Sequence, residues 1–343
     1  MSDGAAEDSS LGGALSGSAA SASSGYAPAG STVRTIFFGS GGFAVPILDA
    51  LVSTPGIRVT AVVSAPDRPA GRNAVSTATP VTVRARELGL VVAQPTRVRR
   101  PEAIDELREL APELIVLADY GQLIPKVLID LPPRGFLNLH PSALPRHRGA
   151  APITATILAG DTESAVTLMV VTEEMDAGPI VAVEPLEVRP DDTAATLEER
   201  AALVAARLLR RALPEWLDGS LTARPQALDG VTMTRPLRRE DGRWRPGDAG
   251  DVQALERRVR AYQPWPGSFL ETPVGRLVVW RAATAPAEPA DVPDRIMAHG
   301  DGIALSGLYG RLVLDEVQLA GRRRISGAEL RRGHPGLIGA SVG

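Results

Sequence analysis

The sequence predicts an α/β protein: a mostly parallel sheet flanked by helices, followed by a smaller β-rich domain with the strand pattern of a barrel. Three observations predict it. Short apolar runs alternate with helically spaced segments from residue 33 to residue 217, as in a sheet whose strands are joined by helical crossovers. Beyond 245 the pattern changes to one helix and then short strands separated by turns. The 343 residues also exceed what one hydrophobic core commonly organises, about 250–300 residues.

Residues 1–31 are mainly Ser, Gly and Ala, with too little to bury, and are expected to form a disordered tail. They lack the basic start and apolar run of a secretory signal. Order begins with an apolar strand over 33–38. Gly39-Ser40-Gly41-Gly42 then turns the chain into a helix over 43–52, with Pro46 in the first turn, where it is tolerated. A strand over 58–64 leads into a Pro-rich loop, 65–80, a helix over 81–88 and a short strand over 91–93. A polar helix over 101–110 precedes the apolar strand 114–118, and a short helix near 125–130 precedes the strand 135–139. Strands over 166–171 and 180–188 flank the loop 172–179, and a long amphipathic helix over 196–217 closes the domain. The first domain therefore spans 32–222, a polar linker 223–240 and the second domain 241–343. The second holds a helix near 251–261 and strands over 269–271, 276–281, 302–306 and 311–319.

Composition narrows the function. Hydrophobic residues make up 44% and charged residues 22%, as in a folded soluble chain, and no run of 18 apolar residues offers a membrane span. Cysteine is absent, which removes disulfides, thiolate metal sites and cysteine nucleophiles and fits a reducing, cytoplasmic setting. The four histidines include no pair at ligand spacing, so no metal is expected. Residues 235–343 hold 17 arginines against 13 acidic residues in a chain of net charge −3, a basic third suited to a polyanionic partner. Lys126 is the only lysine, so part of that arginine excess reflects overall composition. Nothing calls for more than a monomer.

Four motifs stand out. Gly39-x-Gly41-x-x-Ala44 fits a dinucleotide fingerprint, but the acidic residue that would bind the ribose about 20 residues on is missing, and a tight strand-to-helix turn needs glycine anyway. The loop 65–72 places Arg68 and Arg72 on a proline-stiffened backbone beside the expected site edge, where they suit phosphate. The richest segment is 138–149. Alternation along its strand puts Asn138 and His140 on one face at the carboxyl end, an amide and an imidazole suited to an oxyanion. Finally, Met175-Asp176-Ala177-Gly178-Pro179-Ile180 is either a plain Asp-Gly turn or a carboxylate reaching back to His140.

The segments APDRPAGR, DYGQLIPK, LNLHPSALPRHRGAAPI, MDAGPI, RAYQPWPGSF and VQLAGRRRIS, in this order, closely resemble the methionyl-tRNA formyltransferase family from about residue 33 to residue 334. The resemblance implies a Rossmann-like formyltransferase domain followed by an OB-like barrel. It implies a formyl-transfer centre of Asn138, His140 and Asp176, with Ser142, Ala143, Leu144 and Pro145 in the folate-contacting segment. The donor would be 10-formyltetrahydrofolate, used as a co-substrate without a metal. The acceptor would be initiator methionyl-tRNA, gripped by the loop arginines and by the second domain, with Arg257, Arg258, Arg260, Arg322, Arg323 and Arg324 as candidate phosphate contacts. One stretch and three single positions depart from the family's pattern. Residues 73–78 are uncharged where a Gly-Lys-Lys stretch is usual, Asp119 stands where alanine is usual, Ala143 replaces a larger residue, and Ala165 replaces a glycine. Asn138 and His140 are expected to hydrogen-bond the oxyanion while Asp176, through a water, moves the amine proton. Two other readings share parts of the pattern: a formyltransferase for nucleotide-linked amino sugars, which has no use for a basic second domain, and a non-catalytic RNA-binding chain, which has no use for the three centre residues.

Overall fold

The computed structural model describes residues 32–70 and 75–342, so Arg72 and the uncharged stretch after it lie partly or wholly outside the described residues. The first domain runs β1 (Val33–Gly39), α1 (Ala44–Val52), β2 (Ile57–Val63), β3 (Arg68–Ala70), β4 (Val75–Thr77), α2 (Pro80–Glu87), β5 (Val92–Ala93), α3 (Pro101–Glu109), β6 (Leu114–Ala118), α4 (Lys126–Ile129), β7 (Phe136–His140), β8 (Arg148–Gly149), α5 (Pro152–Ala159), β9 (Glu163–Val170), β10 (Ile180–Glu187) and α6 (Ala194–Asp218). Seven of these strands form one sheet in the order β10-β9-β7-β6-β1-β2-β5. β5, β2, β1, β6 and β7 run parallel, and β9 and β10 are antiparallel additions at one edge.

Strand order reverses between β1 and β6, because the chain builds outward to β5 and then returns to add β6 and β7 on the other side. At such a switch point the connections leave in opposite directions, and a crevice opens at the carboxyl ends of the strands. Both faces of the sheet are covered, so its strands read as continuous apolar runs. Alternation then splits each strand between two cores. In β1, Phe37 packs with Leu48, Leu51 and Leu209 under α1 and α6, while Ile36 and Phe38 pack with Ile104, Leu107 and Leu128 under α3 and α4. The same parity places Leu137 and Leu139 of β7 in the first core, Phe136 in the second, and Asn138 and His140 on the side of Phe136. Helix α6 starts on a capping box between Thr193 and Thr196 and ends on left-handed Gly219.

After α6 comes β11 (Met233–Thr234), and then the second domain: α7 (Val252–Ala261), β12 (Ser268–Thr272), β13 (Gly275–Ala285), β14 (Ile296–His299), β15 (Gly302–Ser306), β16 (Arg311–Leu319), β17 (Ile325–Ser326) and α8 (Gly327–Gly333). Its strands form an antiparallel six-stranded sheet, β12-β13-β16-β15-β14 with β17 on β16, around a core that includes Trp244, Leu255, Leu277 and Leu314. Ala261 and Tyr262, at the end of α7, belong instead to the first core, so the two domains share buried surface.

Several elements are added to those the sequence predicts. The Pro-rich loop carries the small hairpin β3–β4, and α5, β14, β17 and α8 are additional elements. The linker over 223–240 is bonded to the first domain: β11 pairs in parallel with β8, and Arg224 exchanges backbone hydrogen bonds with Ile180 at 2.7 and 2.8 Å. Among the described residues no helix is long and apolar enough to cross a membrane.

Candidate active site

Three loops meet at the carboxyl end of β7. The first leaves β7 directly and holds Ser142, Ala143, Leu144 and Pro145, with a cis peptide between Leu144 and Pro145. Buried Ser142 is fixed from both sides, since its hydroxyl donates to the Arg146 carbonyl at 2.7 Å and its own carbonyl accepts from Thr167 Oγ1 at 2.7 Å. The second loop, between β9 and β10, presents Asp176. The third is the connector after α6, which bridges the other two.

Asn138 and His140 are both buried on β7, at 7% and 5% exposure, so each polar atom they carry needs a partner. The Asp176 carboxylate gathers three neighbours. Asn138 Nδ2 donates to its Oδ1 at 3.3 Å, the Gly149 N–H donates to its Oδ2 at 2.8 Å, and His140 Nδ1 lies 3.6 Å from the same Oδ2. On the far side of the imidazole, His140 Nε2 is 3.0 Å from the His147 carbonyl, which only accepts, so Nε2 carries the proton and Nδ1 faces Asp176 and the site. Asn138 Oδ1 is buried and has no hydrogen-bond partner. An unsatisfied acceptor in this position suits a ligand N–H.

Backbone conformation supports the arrangement. Asp176 sits at φ 50° and His147 at φ 58°, a region most side chains avoid and aspartate tolerates better than most. His147 is held there by its own ring, whose Nε2 donates to Asp161 Oδ2 at 2.8 Å, and by its N–H, which donates to Thr232 Oγ1 at 2.8 Å. Burial raises the Asp161 carboxyl, but hydrogen bonds from His147 and Arg146 outweigh it and leave the group below its ordinary range. Gly178 has no room for a side chain: a Cβ there would lie 1.8 Å from the Val170 carbonyl oxygen. Gly178→Ala is therefore expected to force the Asp176 turn off β9, costing about 1–3 kcal/mol of stability and lowering turnover. Thermal unfolding and an activity assay on the same sample check this, and an unchanged midpoint would remove the argument.

The switch point carries a second polar arrangement. Asp119, at φ 49° just past β6, is an exposed residue, yet its carboxylate reaches back to Gly41, one oxygen lying 1.8 Å from where a Cβ on that glycine would stand. Desolvation raises its carboxyl above the ordinary range, only partly countered by the Gly41 N–H. Glu198, on α6, is raised by its own burial and by Asp119, partly countered by the nearby Phe43 backbone. Raised carboxyls favour the folded state most when protonated, so this contribution is full in acid and is lost as pH rises through their folded values. The Gly39 and Gly41 positions are thus explained by packing: a Cβ on Gly39 would lie 2.9 Å from Ala44 Cβ and 3.0 Å from the Ala118 oxygen.

Formyl transferase family models match this chain over residues 33–213, and over 250–335 for the C-terminal domain. A methionyl-tRNA formyltransferase from Myxococcus xanthus is 39% identical over 302 residues, covering 88% of this chain and 95% of the relative. That from Halorhodospira halophila is 42% identical over 313 residues, covering 90% and 99%. The chain belongs to the methionyl-tRNA formyltransferase family. The fold is also that of a Helicobacter canadensis N-formyltransferase solved with folinic acid and dTDP-3-aminofucose, at a TM-score of 0.61 and 13% identity over 82% of this chain and 99% of that one.

Within this formyltransferase the structure brings Asn138, His140 and Asp176 together and sets the Ser142–Pro145 segment beside them. The arginines expected to hold phosphate are dispersed. Arg68 is exposed on β3. On α7, Arg257 Nε donates to the Leu158 carbonyl at 3.2 Å. Arg258 is committed to Asp248 and to the carbonyls of Asp241 and Arg243, and Arg260 to Glu256 and the Asp192 carbonyl. Arg257 and Arg260 thereby pin α7 to the first domain, a use their spacing did not suggest. Arg322 and Arg323 are exposed beyond β16, Arg323 beside Glu329, while Arg324 lies over the Trp280 ring at 3.7 Å. A mixed-charge cleft of about 870 Å³ lies between the domains, lined by Arg257, Arg260, Trp280 and Asp161 among others, and excludes the three centre residues. Sequence reasoning missed His147, Asp161, Gln226 and Thr232. Only the polar alternation of Thr232 and Thr234 in an extended stretch hinted at the last.

Proposed function

We propose that this formyltransferase moves the formyl group of 10-formyltetrahydrofolate to the α-amino group of methionine on initiator methionyl-tRNA, supplying the formylated initiator for translation. The observation that carries the reading is the Asn138–His140–Asp176 constellation at the sheet edge of a chain in this family. The nucleophile is a neutral amine. An α-amino group has a pKa of about 7.7–8.0, so a large share is neutral near neutral pH and no strong base is needed before attack. Positioning, oxyanion stabilisation and proton movement remain for the protein to supply.

Asn138 has one amide hydrogen engaged by Asp176 and keeps the other for the developing oxyanion, while its unpartnered Oδ1 is placed to accept from the attacking amine. His140, its tautomer set by the His147 carbonyl, turns Nδ1 toward the same space as an acceptor. In this tautomer the oxyanion hydrogen bond expected of both residues falls to Asn138, and His140 serves the proton path with Asp176. As the amine nitrogen bonds to the formyl carbon, Asp176, directly or through a water, takes the proton that the amine sheds. The pair returns a proton to the leaving folate nitrogen as its bond to the formyl carbon breaks. The Ser142–Pro145 segment fits as the floor of the folate site, since its backbone is fixed beside His140 by the Ser142 N–H on the His140 carbonyl and by Thr167.

Formyl transfer from 10-formyltetrahydrofolate to methionine-charged initiator tRNA, with an elongator methionyl-tRNA in parallel, tests the reading. Formylation confined to the initiator is expected. Folate turnover without formylated tRNA overturns the acceptor, and no turnover overturns the activity. For the tRNA grip, Arg68, Arg322, Arg323 and Arg324 are the exposed candidates among the described residues. The double change Arg322→Ala with Arg323→Ala is expected to weaken tRNA binding and to flatten its dependence on log salt by about 1–2. An unchanged slope in a salt titration would move the tRNA surface elsewhere.

A further inference from the structure

We propose that Gln226, on the connector between the two domains, is a positioning residue for Asp176, so that the connector is a working part of the active site. The inference rests on the functional reading above for its activity assay only. Gln226 Nε2 donates to the carbonyls of Asp176 at 2.7 Å and of Gly178 at 2.8 Å, using both amide hydrogens on the two residues that bracket the turn. Its Oε1 accepts from Arg148 Nε at 3.1 Å and Nη2 at 2.8 Å. Arg148 is buried, and the next residue, Gly149, donates its N–H to Asp176 Oδ2 at 2.8 Å. Gln226, Arg148, Gly149 and Asp176 therefore close a ring that spans the β7 loop, the β9–β10 loop and the connector.

The ring has a mechanical purpose. Asp176 at φ 50° occupies a sparsely populated backbone region, which persists only where the surroundings over-determine it. Two donors from one rigid amide hold the backbone on either side of Ala177, and the Gly149 N–H holds the carboxylate. Six residues further along the connector, Thr232 Oγ1 accepts from the N–H of His147, whose carbonyl in turn fixes His140. Both members of the proton-handling pair are thus steadied by one connector that leads directly into the second domain.

Gln226→Glu is the discriminating variant. It is isosteric and keeps the Arg148 contact, but sets a carboxylate against two carbonyl oxygens where an amide donated to both. Turnover is expected to fall about 10- to 100-fold with the Michaelis constants for both substrates nearly unchanged. Exchange of the Gly149 amide, followed by NMR, is expected to quicken as Asp176 loses its place, as it must in Asp176→Ala. Gln226→Met, which keeps the volume and drops both donors, should do the same if the charged variant fails to fold. Arg224→Ala, an exposed change on the same connector, should alter neither reading. Unchanged turnover overturns the proposal, and so does lost turnover with Gly149 still protected. If the wild-type chain does not formylate methionyl-tRNA, quickened Gly149 exchange in the Gln226 variants still supports the positioning role while the functional reading falls.

Discussion

Asp176→Asn is expected to lower formyl transfer by about 10²–10⁴-fold without unfolding the protein. The change is isosteric, so the turn that Gln226 and Gly178 hold stays in place. What is lost is the negative charge on which Asn138, the Gly149 N–H and His140 converge. An amide there offers one acceptor in place of two, so either Gly149 or Asn138 is left facing an N–H. The larger part of the effect is chemical: an amide cannot take the proton that the amine must shed. Because that proton moves only as the new bond forms, the loss falls on turnover and not on substrate affinity. Single-turnover formylation with saturating tRNA measures it. A rate within a few-fold of wild type would remove Asp176 from the proton path.

Asn138→Ala is expected to cost about 10²–10³ in turnover, the usual effect of removing one oxyanion donor. The residue is buried, and its amide is oriented by Asp176, so the free hydrogen is aimed before substrate arrives. Such preorganisation is why a single side chain carries so large a share. The substitution also deletes the unpartnered Oδ1, so part of the loss should appear as poorer placement of the amine. The Michaelis constants for tRNA and folate should change little. A loss confined to the folate Michaelis constant would assign Asn138 to donor binding instead.

Much of this site was legible because it lies on regular structure. Asn138 and His140 share a face for the simplest reason, the two-residue period of a strand, and the apolar runs of β1, β6 and β7 placed that strand in the sheet. Asp176 was only half legible. Its Asp-Ala-Gly turn is local, but its approach to His140 depends on the antiparallel pairing of β9 with β7, in which His140 stands opposite Thr167. The connector's contacts were not legible because its strand is two residues long and its polar side chains bond loops more than forty residues away in sequence. Helix α5 escaped because Ile153, Thr154, Thr156 and Ile157 are β-branched, so tertiary packing decides the helix and propensity argues against it. The arginines show the limit from another side: charge is visible in a sequence, but whether a guanidinium faces solvent or an internal carbonyl is not.

The start of α1 has a consequence for ligand choice. Helix beginnings leave N–H groups without partners and carry a partial positive charge, which is why nucleotide phosphates so often settle there. In this chain the Asp119 carboxylate lies against Gly41, one oxygen 1.8 Å from where a Cβ there would stand, and a Glu198 oxygen lies 3.9 Å from the same position on Gly42, although neither acid belongs to the helix. The turn keeps the glycines of a nucleotide cradle while its own carboxylates act as resident counter-ions. A diphosphate arriving there would have to displace two negative groups tethered to the protein, so the glycine turn repels the ligand class its spelling advertises and leaves the crevice to the chemistry at β7.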